Sequence, residues 1–501
     1  MKTRAILFLG VSALTLAACA SDAEMRRDGP PASGLERIQH IVVIYDENRS
    51  FDNLYGMFPG ANGVSNAAGE HAMQRDADGK ILPRLPAVWA GKPPAADPAY
   101  RSDLPNAPFR IDAAGGYGMA LNVKTRDLVH KFYQQQEQID GGKLDRFAAV
   151  SDSGGLTMGH YDGAPLKMWQ VAQHYTLADN FFMGAFGGSY LNHQWLICAC
   201  TPEYKDAPEA MRAKLDAHGW LERALDSPRT LEGPPKWVND GAVSPDGYSV
   251  NTTQSPYQPS GLPPSAADPR YADPASHPLP PQHLTTIGDT LSAKGISWAW
   301  YAGAWNAAVD DGARAMELRR VIYKSDNDAA NFQPHHQPFN YFENFAPGTA
   351  ARSEHLRDGD DFLRAVDAGT LPAVAFYKPQ GNLNQHPGYA NVAAGDDHAA
   401  ELIARLEKSP QWASTVVIVT YDENGGFWDH VPPPHGDRWG PGSRIPTLIV
   451  SPFARRGFVD HTMYDTTSIL KFITKRFDLA PLPGVRPAAG DLTNALALDA
   501  R

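Results

Sequence analysis

Cysteine is nearly absent from this chain of 501 residues, which has only Cys19, Cys198 and Cys200. So few thiols exclude a disulfide-stapled scaffold, and no further Cys or His sits close enough to build a zinc cage. Cys198-Ala199-Cys200 would close an awkwardly small ring. On an extended segment alternate residues face opposite ways, so two small buried thiols are expected rather than a disulfide or a soft metal centre. A surplus of basic charge is also missing. Lys and Arg number 45 against 56 Asp and Glu, for a formal net charge of −11. With no basic stripe to displace counterions from a phosphate backbone, nucleic acid is excluded as a partner, although small phosphorylated molecules are not. No apolar run is long enough to span a bilayer, and no solenoid-like repeat is visible. The Gly-x-Ser-x-Gly elbow of serine esterases is lacking as well, because Gly187-Gly188-Ser189-Tyr190-Leu191 has no closing glycine.

What is present begins with ordinary globular proportions, 43% hydrophobic and 20% charged. The length allows one large α/β domain or two to three smaller ones. The 44 glycines and 42 prolines imply many loops, where functional side chains concentrate. At the amino terminus Lys2 and Arg4 precede a short apolar stretch, Ala5 to Ala18, and then Cys19. Leu16-Ala17-Ala18-Cys19 resembles a bacterial lipobox. Residues 1–18 are therefore expected to be a lipoprotein signal peptide, Cys19 the lipidated residue and 19–36 a tether. The expected location is the bacterial periplasm, held to the outer membrane through the lipid anchor alone, since no Asp follows Cys19.

Continuously apolar runs at 37–45, 175–182, 295–303, 371–379, 415–422 and 445–453 alternate with helix-like segments at 124–138, 164–174, 396–408 and 466–476. Runs of this kind suit strands covered on both faces. An α/β fold with a mostly parallel central sheet and helices on both faces is expected. A single catalytic domain over 37–490 is anticipated, with a loop-rich insertion at about 95–280. Within it, the proline-rich stretch 254–283 is read as an ordered loop wrapping the surface.

The tetrapeptide Tyr45-Asp46-Glu47-Asn48 returns as Tyr421-Asp422-Glu423-Asn424, each copy directly after an apolar run. Carboxylates at strand ends face the ligand edge of an open α/β sheet, and once buried they must be paired or hold a cation. Glu47, Asn48, Asp422 and Glu423 form an oxygen-rich set suited to a hard or borderline divalent ion, although two plain surface turns would carry the same letters. Gly187-Gly188-Ser189 permits close backbone approach and leaves a hydroxyl at a turn, with Asn192 and His193 nearby as donors. His130, His335, His336, His386 and His430 all lie in loop-rich or aromatic contexts. Any one of them alone is more often structural than catalytic.

Together the segments "HIVVIYDENRSFDNLYGMFPGANG", "MGHYDG", "ADNFFMGAFGGSYLNHQWLICACTP", "HPGYANVAAGDDHAAELIARLEKSPQWASTVVIVTYDENGGFWDHVPPP" and "GPGSRIPTLIVSPFARRGFVDH" resemble the bacterial phosphoesterase family of phospholipase C and respiratory-burst-inhibiting acid phosphatase. The resemblance runs from about residue 37 to 480, and the Gly-Gly-Ser version is similar to the acid phosphatase branch. It implies an alkaline phosphatase-like fold and a metal-dependent phosphomonoesterase. Ser189 would be the nucleophile, activated by direct coordination to one divalent ion that Glu47, Asn48, Asp422 and Glu423 also hold. His130, His336 and His386, with Asn192, would line the phosphate pocket. Calcium, magnesium, manganese and zinc stay open, because carboxylates bind them all. The competing readings are a phospholipase C acting on phospholipid head groups and a non-catalytic periplasmic binder of phosphorylated ligands. The two tetrapeptides would act one position out of register, Glu47-Asn48 in the first and Asp422-Glu423 in the second.

Overall fold

The β-branched run Ile41-Val42-Val43-Ile44 has side chains too stiff at χ1 to favour a helix, and it forms a strand that is buried from Ile41 onward. This strand, β1 (His40–Asp46), lies near the middle of an eight-stranded sheet. The others are β2 (Thr176–Ala178), β3 (Trp298–Ala302), β4 (Leu356–Asp358), β5 (Val374–Lys378), β6 (Thr415–Tyr421), β7 (Thr447–Val450) and β8 (Phe458–Asp460). In space they run β8-β2-β7-β6-β1-β5-β3-β4. Every pairing is parallel except those of β7 with β6 and β2, so the sheet is mostly parallel, as expected. These relations come from a computed structural model that describes residues 34–324 and 329–498. The signal peptide, Cys19 and nearly all of the tether lie outside the described residues.

Helices cover both faces. Tyr45 donates from its hydroxyl to the Asn192 carbonyl of α4 (Ser189–Cys198), at 3.2 Å. Ile44, on the opposite face, pairs in register with Tyr377, whose hydroxyl lies 2.9 Å from His398 Nε2 on α5 (Val392–Leu406). α6 (Thr466–Phe477) packs with α4, and α3 (Lys167–His174) packs with α5. Side chains cap several of these helices: Asp465 accepts from Thr467 N and Asn391 from Ala394 N.

Two expectations need correction. The helix expected over 124–138 is confined to α2 (Phe132–Ile139), and the residues before it form an irregular segment that brings His130 to the site. The span 95–280 carries β2 and α4 between its loops. Cys198 and Cys200 form a disulfide. Cys198 ends α4 and Ala199 adopts the left-handed conformation, φ 46°, which folds Cys200 back to a Cα–Cα distance of 5.1 Å. The segment is therefore not extended, and the two thiols are not held on opposite faces. The proline-rich stretch is ordered. Buried Asn340 donates to the Tyr257 and Pro259 carbonyls, and buried Arg319 donates to those of Ser260 and Leu262.

Candidate active site

The pairing of β1 with β6 sets the geometry. Asp46 stands opposite Tyr421, so the two tetrapeptides meet one residue out of register. A one-residue offset swaps the faces on which like letters point. Glu47 and Asn48 thereby come alongside Asp422 and Glu423: Asn48 N donates to Asp422 Oδ1 at 3.0 Å, and Arg49 N to the Glu423 carbonyl at 3.0 Å. Asn48 itself has φ 63°, a conformation Asn tolerates better than most residues, and this turns its amide toward the site. Asp46 and Asn424 leave the group. Asp46 is buried with neither carboxylate oxygen partnered, and burial pushes its pKa well up.

Ser189 is the first residue of α4, preceded by the sharp Gly187-Gly188 turn. Gly187 has φ 93°, and a Cβ there would come within 2.6 Å of Phe132 N. This close approach places the Ser189 hydroxyl 3.2 Å from Asn48 Oδ1 and 3.4 Å from Glu423 Oε1. Asn48, Ser189, Asp422 and Glu423 are thus brought together as the sequence led one to expect. Glu47 borders them, with an oxygen in the same cluster as ligand atoms of Asp422 and His193. Its carboxylate already faces four donors, however: His336 Nε2 at 2.5 Å, Lys378 Nζ at 3.3 Å, Tyr389 Oη at 2.7 Å and Asn384 Nδ2.

Two expected pocket residues stand elsewhere. Asn192 does not reach the pocket. It is fully buried, and its amide accepts from Ala185 N at 2.9 Å and donates to the Ala185 and Gly188 carbonyls, so it holds the turn before the serine. His336, also buried, turns inward onto Glu47, and its neighbour His335 faces the cavity instead. His130 and His386 do line the cavity, with ring centroids 5.5 Å apart. Sequence reasoning missed Lys378, Tyr389, Asp127 and Gln135. Lys378 alone left a signal, a cation closing an otherwise apolar strand.

The electrostatics separate the two sides of the site. Burial, reinforced by Glu47, pushes Asp422 up to about 7, and burial with the Asp422 charge carries Glu423 well above the carboxylate range. Burial would also raise Glu47, but His336 and Lys378 hold it well below its usual value. Burial opposes a charge on His130, yet Glu423 and Asp127 lift it to about 9. Burial holds His335 and His386 below the usual histidine value. Asp422 Oδ2 is buried without a hydrogen-bond donor. Two adjacent carboxylates disfavoured as anions, an orphaned oxygen and the Asn48 and Ser189 oxygens make a donor set that fits a divalent cation. Above them lies a cavity of about 450 Å³, lined among others by Asp127, Lys131, Asp240, Asn251, Gln333 and Tyr389.

A serine hydroxyl at a helix start thus faces paired acidic strand ends beside a histidine-lined polar cavity. The chain belongs to the Phosphoesterase family, whose model matches residues 38–480. It is similar to the non-hemolytic phospholipase C of Burkholderia pseudomallei, 25% identical over 91% of this chain and 59% of that protein. It is also similar to phospholipase C B of Mycobacterium tuberculosis, 23% identical over 93% of this chain and 79% of that protein. The hemolytic phospholipase C of Pseudomonas aeruginosa is 28% identical over 92% of this chain and 56% of its own length. The chain therefore spans little more than half of two of these relatives. Among solved structures, a Vibrio parahaemolyticus protein of the alkaline phosphatase superfamily aligns with a TM-score of 0.33 and 10% identity, over 68% of this chain and 65% of that one. Murine ectonucleotide pyrophosphatase/phosphodiesterase 5 aligns with a TM-score of 0.31 and 10% identity, over 66% of this chain and 93% of that one.

Proposed function

We propose that the protein is a metal-dependent phosphomonoesterase of the acid phosphatase type, in which Ser189 attacks phosphorus and forms a phosphoserine. One observation carries the reading: the Ser189 hydroxyl sits within 3.4 Å of Glu423 and 3.2 Å of Asn48, beside an Asp422 oxygen with no donor, at the foot of an open polar cavity.

Asn48, Ser189, Asp422 and Glu423 would hold one divalent ion, with Glu47 at the border. Such an ion, when bound, offsets the negative charge of the phosphoryl group and lowers the pKa of the serine hydroxyl. Gly188 packs against His130, whose Nε2 lies 3.8 Å from Glu423 Oε1 and whose ring presents positive charge to the phosphoryl oxygens. His335 and His386 offer ring nitrogens to the same oxygens, and a cavity histidine returns a proton to the departing alcohol. Water then attacks the phosphoserine from the side the alcohol has left and releases phosphate, regenerating the hydroxyl. Ser189→Ala is expected to abolish turnover of an aryl phosphate while the protein stays folded, and chelation is expected to do the same reversibly. Full activity of the variant would overturn the mechanism.

Among the described residues that line the cavity there is no Leu, Ile, Val, Phe or Met, which suits a small phosphorylated molecule or a head group better than acyl chains. The phospholipase C names of the relatives favour a second reading, cleavage of phospholipid head groups. Hydrolysis of lipid diesters as fast as monoesters would select it. We also propose that the enzyme works in the periplasm, tethered at Cys19. Cys19→Ser should release it from the membrane fraction, and unchanged membrane association would refute the tether.

A further inference from the structure

We infer that Gln135 is a positioning residue that couples the acidic loop to the nucleophile, a role that rests on Ser189 being that nucleophile. Gln135 lies in the first turn of α2 and is completely buried. Its Oε1 accepts from Gly187 N at 2.7 Å, and its Nε2 donates to Asn424 Oδ1 at 2.6 Å. Asn424 is completely buried as well, and its Nδ2 donates to the Phe427 carbonyl at 2.7 Å. These partners fix both amides. The Phe427 carbonyl requires the Asn424 NH₂, which leaves Oδ1 for Gln135; the Gln135 NH₂ must then face Asn424, and its oxygen must face Gly187. Flipping either amide sets donor against donor or acceptor against acceptor among buried groups.

The consequence is mechanical. Asn424 directly follows Asp422 and Glu423, and Gly187 N is two residues before Ser189. The chain Glu423, Asn424, Gln135, Gly187, Ser189 therefore runs from one wall of the site to the other. Asn192 holds the same turn from the opposite side through Ala185 and Gly188. The Gly187 backbone, at φ 93° and pressed on Phe132, has no side chain of its own to fix it. The fourth letters of the two tetrapeptides thus act differently, since Asn48 faces the serine oxygen directly while Asn424 acts on the serine through Gln135. A hydroxyl displaced by about 1 Å loses rate on the order of a hundredfold without losing substrate contacts elsewhere.

The test compares Gln135→Met, which keeps length but neither hydrogen bond, with Gln135→Glu, which keeps the acceptor for Gly187. Both are measured with an aryl phosphate, with bound metal quantified per chain and thermal melting recorded. Gln135→Met is expected to lower kcat by about ten- to a hundredfold while KM stays within about threefold and metal content is unchanged, and Gln135→Glu, which keeps the Gly187 bond but sets an acceptor against Asn424 Oδ1, should recover only part of kcat. Asn424→Ala should lower kcat in the same sense, and combining it with Gln135→Met should cost no more than the worse single change. A Gln135→Met protein that melts earlier but keeps kcat within twofold would reduce Gln135 to a packing residue and overturn the inference, as would additive losses in the double variant. If Gln135→Met does not fold, Gln135→Glu and Asn424→Ala decide: equal kcat in wild type and Asn424→Ala overturns it. Activity in Ser189→Ala would remove the proposed mechanism itself. An inactive Ser189→Ala beside a fully active Gln135→Met removes only this coupling.

Discussion

A serine hydroxyl, a lysine ammonium and a primary amide are ordinary groups, and in this site their placement gives them their roles. Lys378 is completely buried and approaches Glu47 Oε1 at 3.3 Å. Removing it leaves a buried carboxylate without its permanent cation, so Lys378→Met should destabilise the fold by roughly 3–5 kcal/mol in chemical denaturation. Asn192→Ala strips the Ala185 amide and two turn carbonyls of their partner, and should cost about 1–3 kcal/mol along with most of kcat. The letters led to Asn48, Ser189, Asp422 and Glu423 lying side by side, because strand ends and a Gly-Gly turn constrain where those side chains point. They were not enough for Asn192 and His336. Asn192 is one helical turn from Ser189, and in the fold that turn points its amide back into the backbone. His336 differs from His335 by one position on a short turn, and only the location of Glu47 decides which ring faces inward.

At the scale of elements, the register of β1 and β6 is what makes two identical tetrapeptides act differently. The strands themselves were legible from their β-branched runs. The pairing between strands 375 residues apart in sequence was not, because no local pattern encodes register. A buried network holds the two loops that follow those strands. Arg444 Nε donates to Asp429 Oδ1 at 2.8 Å and its Nη2 to Asp52 Oδ1 at 3.2 Å, and His430 Nδ1 lies 2.6 Å from Asp52 Oδ2. Burial opposes a charge on His430 and Arg444 repels it, but the hydrogen bond to Asp52 and the charges of Asp52 and Asp429 raise its pKa above the ordinary value. Because the folded value lies above the unfolded one, this stabilisation is fully present below the unfolded pKa of about 6.5 and is lost as pH rises through the folded value. The melting-temperature gap between wild type and His430→Gln should therefore be widest at mildly acidic pH and shrink on the alkaline side. A gap that widens with pH would contradict the assignment.

For the whole molecule, the sheet brings together side chains from positions 47 to 423 at its carboxyl edge, and ion binding there should be linked to global stability. An ion that binds only the folded state at about a hundred times its Kd adds about 2.7 kcal/mol. A chelator should lower the melting temperature of wild type and do so less for Asp422→Asn. The overall α/β plan followed from alternating apolar runs and helix-like segments. Within 95–280 the core strand was legible in the apolar run at 175–182, whereas the serine-bearing helix was not, since Gly187-Gly188-Ser189 reads locally as a turn. The proposed chemistry is tested most sharply by quenching the enzyme during turnover of an aryl phosphate and mapping covalent phosphate by peptide mass spectrometry. One phosphoryl group is expected on Ser189, absent from Ser189→Ala and from metal-depleted protein. Rapid turnover with phosphate never found on Ser189, or found on another residue, would contradict a serine nucleophile at this site.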